Sequence, residues 1–71
     1  MDAPGVPRPV LSEDDVALLA LLARGLSLDA VARRLEMSER TVRRRTRTIC
    51  DRLGVTTPIE AVVWAARRHL I

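Results

Sequence analysis

Four arginines in one short segment are the residues of this chain best suited to bind another molecule. They are Arg40, Arg43, Arg44 and Arg47. If the segment is helical, a turn of about 100° per residue places all four within an arc of about 100°. The planar guanidinium suits phosphate oxygens and guanine edges, and the only acid that we expect close to this stripe is Asp51, at its far end. The stripe indicates a footprint for phosphates and base edges, with an ordinary solvated face as the alternative.

The opposite side of the same segment carries the residues that we expect to face a hydrophobic core. They are Val42, Thr46, Ile49 and Leu53. Cys50 falls at the edge of this stripe, where we expect a small buried hydrophobic residue rather than a sensor thiol. Arg45 lies beside the stripe, so its side chain must extend outward or find an acidic partner.

Start and stop signals place this segment in the third of four helices. The predicted N-caps are Ser12, Ser27, Ser38 and Thr57, and the helices extend to about residue 24, over 28–35, over 39–53 and from 58 to about 69. Asp15 and Glu60 are placed to complete capping boxes in the first and fourth helices. Gly25 and Gly54 fit the left-handed positions that end the first and third helices.

The remaining pattern favours a small helical domain. Apolar residues follow a helical period, and the loops between helices are short. Because Trp64 is the only aromatic residue among 71, the core must be aliphatic. We predict an all-α four-helix bundle with a central helix-turn-helix, whose turn lies at Glu36 and Met37. Residues 1–10 hold three of the four prolines and are predicted to form a disordered tail before a domain over residues 11–71.

Composition narrows the function classes. All twelve basic residues are arginine and the formal net charge is +3, a bias that a GC-rich coding sequence also produces. The chain has no glycine-rich phosphate loop, nucleophile–base pair or carboxylate cluster, so we expect no enzyme, no cofactor and no small-molecule ligand. A single cysteine and a single histidine argue against a metal site, and the lone cysteine favours a reducing compartment. Without a signal peptide or spanning segment, we expect a cytoplasmic, nucleoid-associated protein with no membrane contact.

Several short motifs follow one another along the chain. They are Leu11-Ser12, Leu21-Leu22-Ala23-Arg24-Gly25-Leu26-Ser27, Val31-Ala32-Arg33-Arg34-Leu35, Ser38-Glu39-Arg40-Thr41-Val42-Arg43-Arg44, Ile49, Leu53-Gly54-Val55, Glu60-Ala61-Val62 and Leu70-Ile71. Together they resemble the LuxR-type (GerE-like) helix-turn-helix domain over residues 11–71. The resemblance implies a bacterial transcription regulator that binds double-stranded DNA as a two-fold dimer on a palindromic site, with the third helix in the major groove.

The resemblance also implies roles for individual positions. The residues expected to contact bases are Arg43, Arg44 and Arg47. Those expected at DNA phosphates are Ser38, Thr41, Thr56 and Thr57, to which we add Arg40. The fourth helix is expected to pair two copies of the chain through Val63, Trp64 and Arg67. Trp64 is equally suited to covering the core of its own molecule.

Two features depart from the family pattern and favour a second hypothesis. Leu28-Asp29 stands where the family usually has a phosphate-holding pair, and an acid there weakens DNA binding. The outer face of the first helix carries Val16, Ala17 and Ala20 in place of charges, which marks a surface for a protein partner. The alternative is a helix-turn-helix module that modulates a larger regulator or RNA polymerase without reading DNA. We expect no sensor domain, so that control comes from expression level, a partner or dimerisation.

Overall fold

The computed structural model describes residues 11–71, which form four α-helices. The helices are α1 (Glu13–Ala23), α2 (Leu28–Leu35), α3 (Glu39–Leu53) and α4 (Pro58–Arg67). No strand occurs between residues 11 and 71, so the predicted all-α helix-turn-helix fold is confirmed. The tail predicted for residues 1–10 lies outside the described residues. None of the four helices is long and apolar enough to cross a bilayer.

Each helix begins at the hydroxyl residue that the sequence predicts as its N-cap. The side-chain oxygens of Ser12, Ser27, Ser38 and Thr57 accept backbone N–H groups over 3.1, 3.2, 3.1 and 3.4 Å. In α1 the capping box is reciprocal, because Asp15 Oδ2 accepts the N–H of Ser12 at 3.1 Å. A cap of this kind stabilises a helix by about 1 kcal/mol. Four such caps therefore define where the short helices start.

A residue in the left-handed conformation follows α2 and α3 directly, and follows α1 and α4 after one intervening residue. Gly25 (φ 86°) and Gly54 (φ 71°) occupy this region as predicted, and glycine does so without steric cost because it lacks a Cβ. α2 ends at Glu36, with φ 56°. α4 ends at Arg67, short of the predicted end near His69, because His69 is itself left-handed (φ 57°) and cannot continue the helix.

A small aliphatic core lies between the helices. Its buried residues are Leu11, Leu18, Leu19, Val31, Ala32, Val42, Ile49, Cys50, Ala61 and Ala65. Helices α1 and α3 each contact the other three helices, whereas α2 and α4 do not touch. The predicted inward stripe of α3 is confirmed, with Leu53 half-buried at its end. Thr46 is buried without losing a hydrogen bond, because its hydroxyl donates to the Val42 carbonyl oxygen at 2.7 Å.

Candidate nucleic-acid interface

The exposed side of α3 carries four arginines that we call the arginine ridge. They are Arg40, Arg43, Arg44 and Arg47, and all four are exposed to solvent. On the reverse side of the same helix, Val42 and Ile49 are completely buried. The helix is therefore held to the core by one side while the guanidiniums project from the other.

Glu39, an acid that the helical angle does not place on the stripe, lies next to the arginine ridge. Glu39 Oε1 accepts from Arg43 Nη2 at 2.8 Å, whereas Asp51, the acid expected nearest the stripe, forms no ion pair within residues 11–71. The i,i+4 spacing of Glu39 and Arg43 is the signal that was missed. Both side chains are largely exposed, and pairs of this kind contribute only about 0.3–0.5 kcal/mol. Arg43 can exchange this partner for a phosphate or a base at small cost.

The N-terminus of α3 brings two hydroxyl groups together. Ser38 Oγ accepts the N–H of Thr41 at 3.1 Å and donates its own proton to Thr41 Oγ1 at 2.9 Å. Because the proton of Ser38 is used in this way, the hydroxyl of Thr41 retains a proton for an external acceptor. The first turn of a helix also presents unpaired N–H groups and the positive end of the helix dipole, which favour anions.

Two open clefts flank the arginine ridge. One has a volume of about 440 Å³ and separates the ridge from the start of α2 and the α3–α4 loop; its polar lining includes Arg43, Arg47, Asp51 and Thr56. The other, of about 370 Å³, separates α3 from the start of α1 and is lined in part by Ser12, Asp14, Arg44 and Thr48. The ridge therefore stands between two depressions, a shape that suits insertion into a groove.

The predicted phosphate contact at Thr56 is already occupied by a carboxylate of the same chain. Glu60 Oε2 accepts the backbone N–H of Thr56 at 3.0 Å, and the Thr56 hydroxyl lies 3.4 Å from both Glu60 oxygens. The capping box expected between Glu60 and Thr57 is therefore displaced by one residue. Thr57 does accept the N–H of Glu60, at 3.4 Å, as an N-cap should. A phosphate that approaches Thr56 must compete with Glu60 for this N–H group.

Cys50 is buried beside the first of these clefts. Burial, followed by the negative charges of Asp51 and Glu60, raises the pKa of the Cys50 thiol above its ordinary value. A protonated, buried thiol is a poor nucleophile. Cys50 is buried, as the sequence predicts.

Two ion pairs join α3 to the start of α1. Arg45 Nη1 lies 3.8 Å from Asp14 Oδ2, so the prediction that Arg45 needs an outward path or an acidic partner is confirmed. Arg52 Nη1 lies 3.5 Å from Asp15 Oδ2. No local sequence pattern indicated this second pair, because the two residues are 37 positions apart in the chain. Arg45 and Arg52 are thus directed towards α1 and away from the arginine ridge.

The outer surface of α4 carries an apolar strip. Ile59 and Val63, one turn apart, are 66% and 42% exposed. Val63 was predicted for the dimer surface but Ile59 was not, although its i,i+4 relation to Val63 indicates a shared face. Arg67 is exposed as well. Trp64 is half-buried against the core, and the guanidinium of Arg68 lies 3.8 Å from the centre of its ring.

The structure shows the surroundings of Asp29 and of the outer face of α1, the two places where the sequence departs from the LuxR-type pattern. Asp29 forms an ion pair with Arg33 one turn later in α2, so its charge is balanced within the same helix. On α1, Ala17 is exposed, whereas Val16 and Ala20 are half-buried. The outer face of α1 is therefore a mild apolar surface rather than a deep groove.

Comparison with known proteins finds relatives among bacterial regulators. Residues 9–65 match the family described as bacterial regulatory proteins, luxR family. Over 61 residues the chain is 38% identical to the transcriptional regulatory protein YdfI of Bacillus subtilis (strain 168). That alignment covers 86% of this chain and 29% of YdfI, so the chain spans less than a third of its relative's length. No solved structure gives a significant match.

Proposed function

Because this chain belongs to the luxR family of bacterial regulatory proteins, we propose that it is a transcriptional regulator that binds specific sequences of double-stranded DNA. The observation that carries the proposal is the arginine ridge, exposed along α3 while the reverse side of that helix is buried. In a helix-turn-helix the second helix enters the major groove by its N-terminal half. Three of the four ridge residues lie in that half of α3, and Arg47 lies just past the midpoint of the helix.

The ridge residues have different roles in this proposal. Arg43, Arg44 and Arg47 read base edges, where a bidentate arginine–guanine contact discriminates by about 1–3 kcal/mol. Arg40, Ser38 and Thr41 hold phosphates around the N-terminus of α3. The retained hydroxyl proton of Thr41 and the free N–H groups of this first turn support the phosphate assignment.

We extend the proposal to a two-fold dimer on a palindromic site. The exposed pair Ile59 and Val63, with the neighbouring Arg67, supports α4 as the surface that joins two copies. Trp64 contributes less directly, because Arg68 covers its ring. A two-fold pair of this type places two copies of α3 on half-sites about 34–36 Å apart.

A second candidate function is a protein-binding module that does not read DNA. It is favoured by the apolar outer face of α1 at Val16, Ala17 and Ala20, and by the engagement of Thr56 with Glu60. The dependence of binding affinity on salt concentration distinguishes the two functions. Binding through several arginine–phosphate contacts weakens by orders of magnitude between about 50 and 200 mM salt, whereas an apolar protein interface barely responds.

The proposal is tested by measuring DNA affinity and selectivity for two ridge variants. Arg44→Ala is expected to relax sequence preference, and Arg40→Ala to weaken binding to all sequences alike and to lower the salt slope by about one unit. Arg24→Ala is the matched control, because it removes the same charge at the end of α1 remote from the cleft that borders Arg44. If both ridge variants keep the affinity and selectivity of the parent chain, DNA reading by α3 is refuted.

A further inference from the structure

The arginine ridge continues along α3 into a residue of opposite charge. Asp51 follows Arg47 by four residues and Arg44 by seven, a spacing that places all three on one face of the helix. At about 1.5 Å per residue, Asp51 lies about 6 Å further along the helix axis than Arg47. Its side chain is exposed, like those of the ridge.

Asp51 shares a cleft with arginines that read base edges in the proposed function and with Thr56, for which the family resemblance predicts a phosphate contact. Among the residues that line this cleft, Asp51 follows Arg43 and Arg47 along the chain and precedes Thr56. DNA that touches α3 and the α3–α4 loop at once therefore passes over Asp51. We expect the Asp51 carboxylate to lose contact with bulk solvent when such a complex forms.

The carboxylate of Asp51 has no cationic partner within residues 11–71. The ion pairs in this part of the chain join Asp14, Asp15, Asp29 and Glu39 to arginines, and none includes Asp51 or the neighbouring Arg47. A carboxylate enclosed in a complex without a donor is strongly unfavourable. It also repels phosphates and the acceptor atoms of guanine and thymine. Among the groups on the floor of the major groove, only the amino groups of cytosine and adenine donate to it, and cytosine is the usual partner of an acidic side chain.

We propose that Asp51 determines sequence specificity by accepting a hydrogen bond from a cytosine amino group in the major groove. The inference rests on the proposed function. With a base step of about 3.4 Å, the cytosine lies one or two base pairs beyond the base read by Arg47. Sequences that present an oxygen acceptor at this position leave the carboxylate unpaired and are rejected.

The test is selection of bound sequences from a randomised double-stranded DNA pool, carried out with the parent chain, Asp51→Ala and Asp51→Asn. The parent is expected to select cytosine at one position per half-site. Asp51→Ala should lose that preference, with a fall of about 5- to 150-fold in discrimination. Asp51→Asn should change it to adenine, because the amide matches the adenine edge. Glu13→Gln, another exposed acid, is the control and should reproduce the parent's selection.

Three outcomes would overturn the inference. Asp51→Ala and Asp51→Asn selecting the same sequences as the parent would show that Asp51 reads nothing, while a loss of preference in Arg44→Ala would still uphold the proposed function. A uniform gain in affinity of both Asp51 variants, without a change at any position, would reduce Asp51 to a phosphate-repelling charge. A parent chain that selects no sequence would remove the proposed function and this inference together.

Discussion

The carboxylate of Asp15 lies 3.5 Å from the guanidinium of Arg52, and this pair joins the first turn of α1 to the last turn of α3. The same Asp15 oxygen accepts the N–H of Ser12, so one atom serves both the helix cap and the contact between helices. The side chain of Asp15 is only 11% exposed. The orientation of α3 is therefore linked to the start of α1.

Asp15→Asn is expected to destabilise the fold by about 1 kcal/mol. The amide oxygen can still accept from Ser12, but the charge that attracts Arg52 and favours the N-terminus of α1 is lost. Urea unfolding measures the change, and a double-mutant cycle with Arg52→Ala isolates the pair. Because Arg52 is 55% exposed, we expect a coupling below about 1 kcal/mol. Strict additivity of the two substitutions would show that the pair does not contribute.

Glu60→Gln is expected to strengthen DNA binding. Glutamine can still accept the N–H of Thr56, so α4 keeps its start, but the negative charge that competes with a phosphate is removed. A unit charge at 4 Å in water corresponds to about 1 kcal/mol, or about fivefold in affinity. Fluorescence anisotropy at low salt measures the gain, with Glu13→Gln as the charge-matched control. Unchanged or weaker binding by Glu60→Gln would contradict a phosphate contact at Thr56.

Val63→Glu is expected to separate dimer formation from DNA recognition. The side chain is 42% exposed, so the fold tolerates a charge there, but two opposed copies would repel each other across the two-fold axis. Sedimentation on palindromic DNA should show loss of the two-protein complex, with binding to an isolated half-site unchanged. Ala17→Glu, on the exposed face of α1, serves as the control. If Val63→Glu still gives the two-protein complex, dimerisation through α4 is wrong.

Stability should fall at alkaline pH because of Cys50. Burial, together with Asp51 and Glu60, raises the pKa of the folded thiol. The folded state therefore holds this proton more tightly than the unfolded state, and its contribution is complete below the pKa of the unfolded thiol. The contribution is lost as pH rises from the unfolded pKa through the folded one. The chain has no lysine and no tyrosine, so no other side chain titrates in this range.

Urea unfolding as a function of pH tests this expectation. The parent chain should lose stability through the alkaline range, and Cys50→Ala, although less stable at neutral pH, should show a flatter dependence. Parallel curves for the two proteins would exclude the thiol as the cause.

The features that could be predicted from the sequence depend on neighbours within one helical turn. Caps such as Ser38, the left-handed Gly54 and the inward stripe through Val42 are local, and all were predicted correctly. The pairing of Asp15 with Arg52 spans 37 residues and requires the packed arrangement of α1 against α3, which no local pattern encodes.

Two contacts at the candidate interface were missed although they are local. Glu39 pairs with Arg43, and Glu60 bonds to Thr56, each across four residues. In both cases the glutamate side chain can contact more than one partner at similar energy, so the sequence pattern alone does not determine which contact forms. The helical angle places Glu39 outside the arginine ridge, but its side chain is long enough to reach Arg43 across the helix surface. Glu60 bonds to the residue before the N-cap, one position beyond the partner in a standard capping box.

Helix α4 touches α1 and α3 but not α2. In the proposed dimer the two copies meet through α4. The packing of α4 on the α3 of its own copy therefore determines the distance between the two α3 helices and their relative rotation. One base pair inserted between the half-sites turns one of them by about 34° relative to the other, since a duplex turn takes about 10.5 base pairs. If α4 and α3 keep a fixed arrangement, the proposed dimer cannot follow that rotation, and its DNA affinity should depend on the length of the spacer between the half-sites.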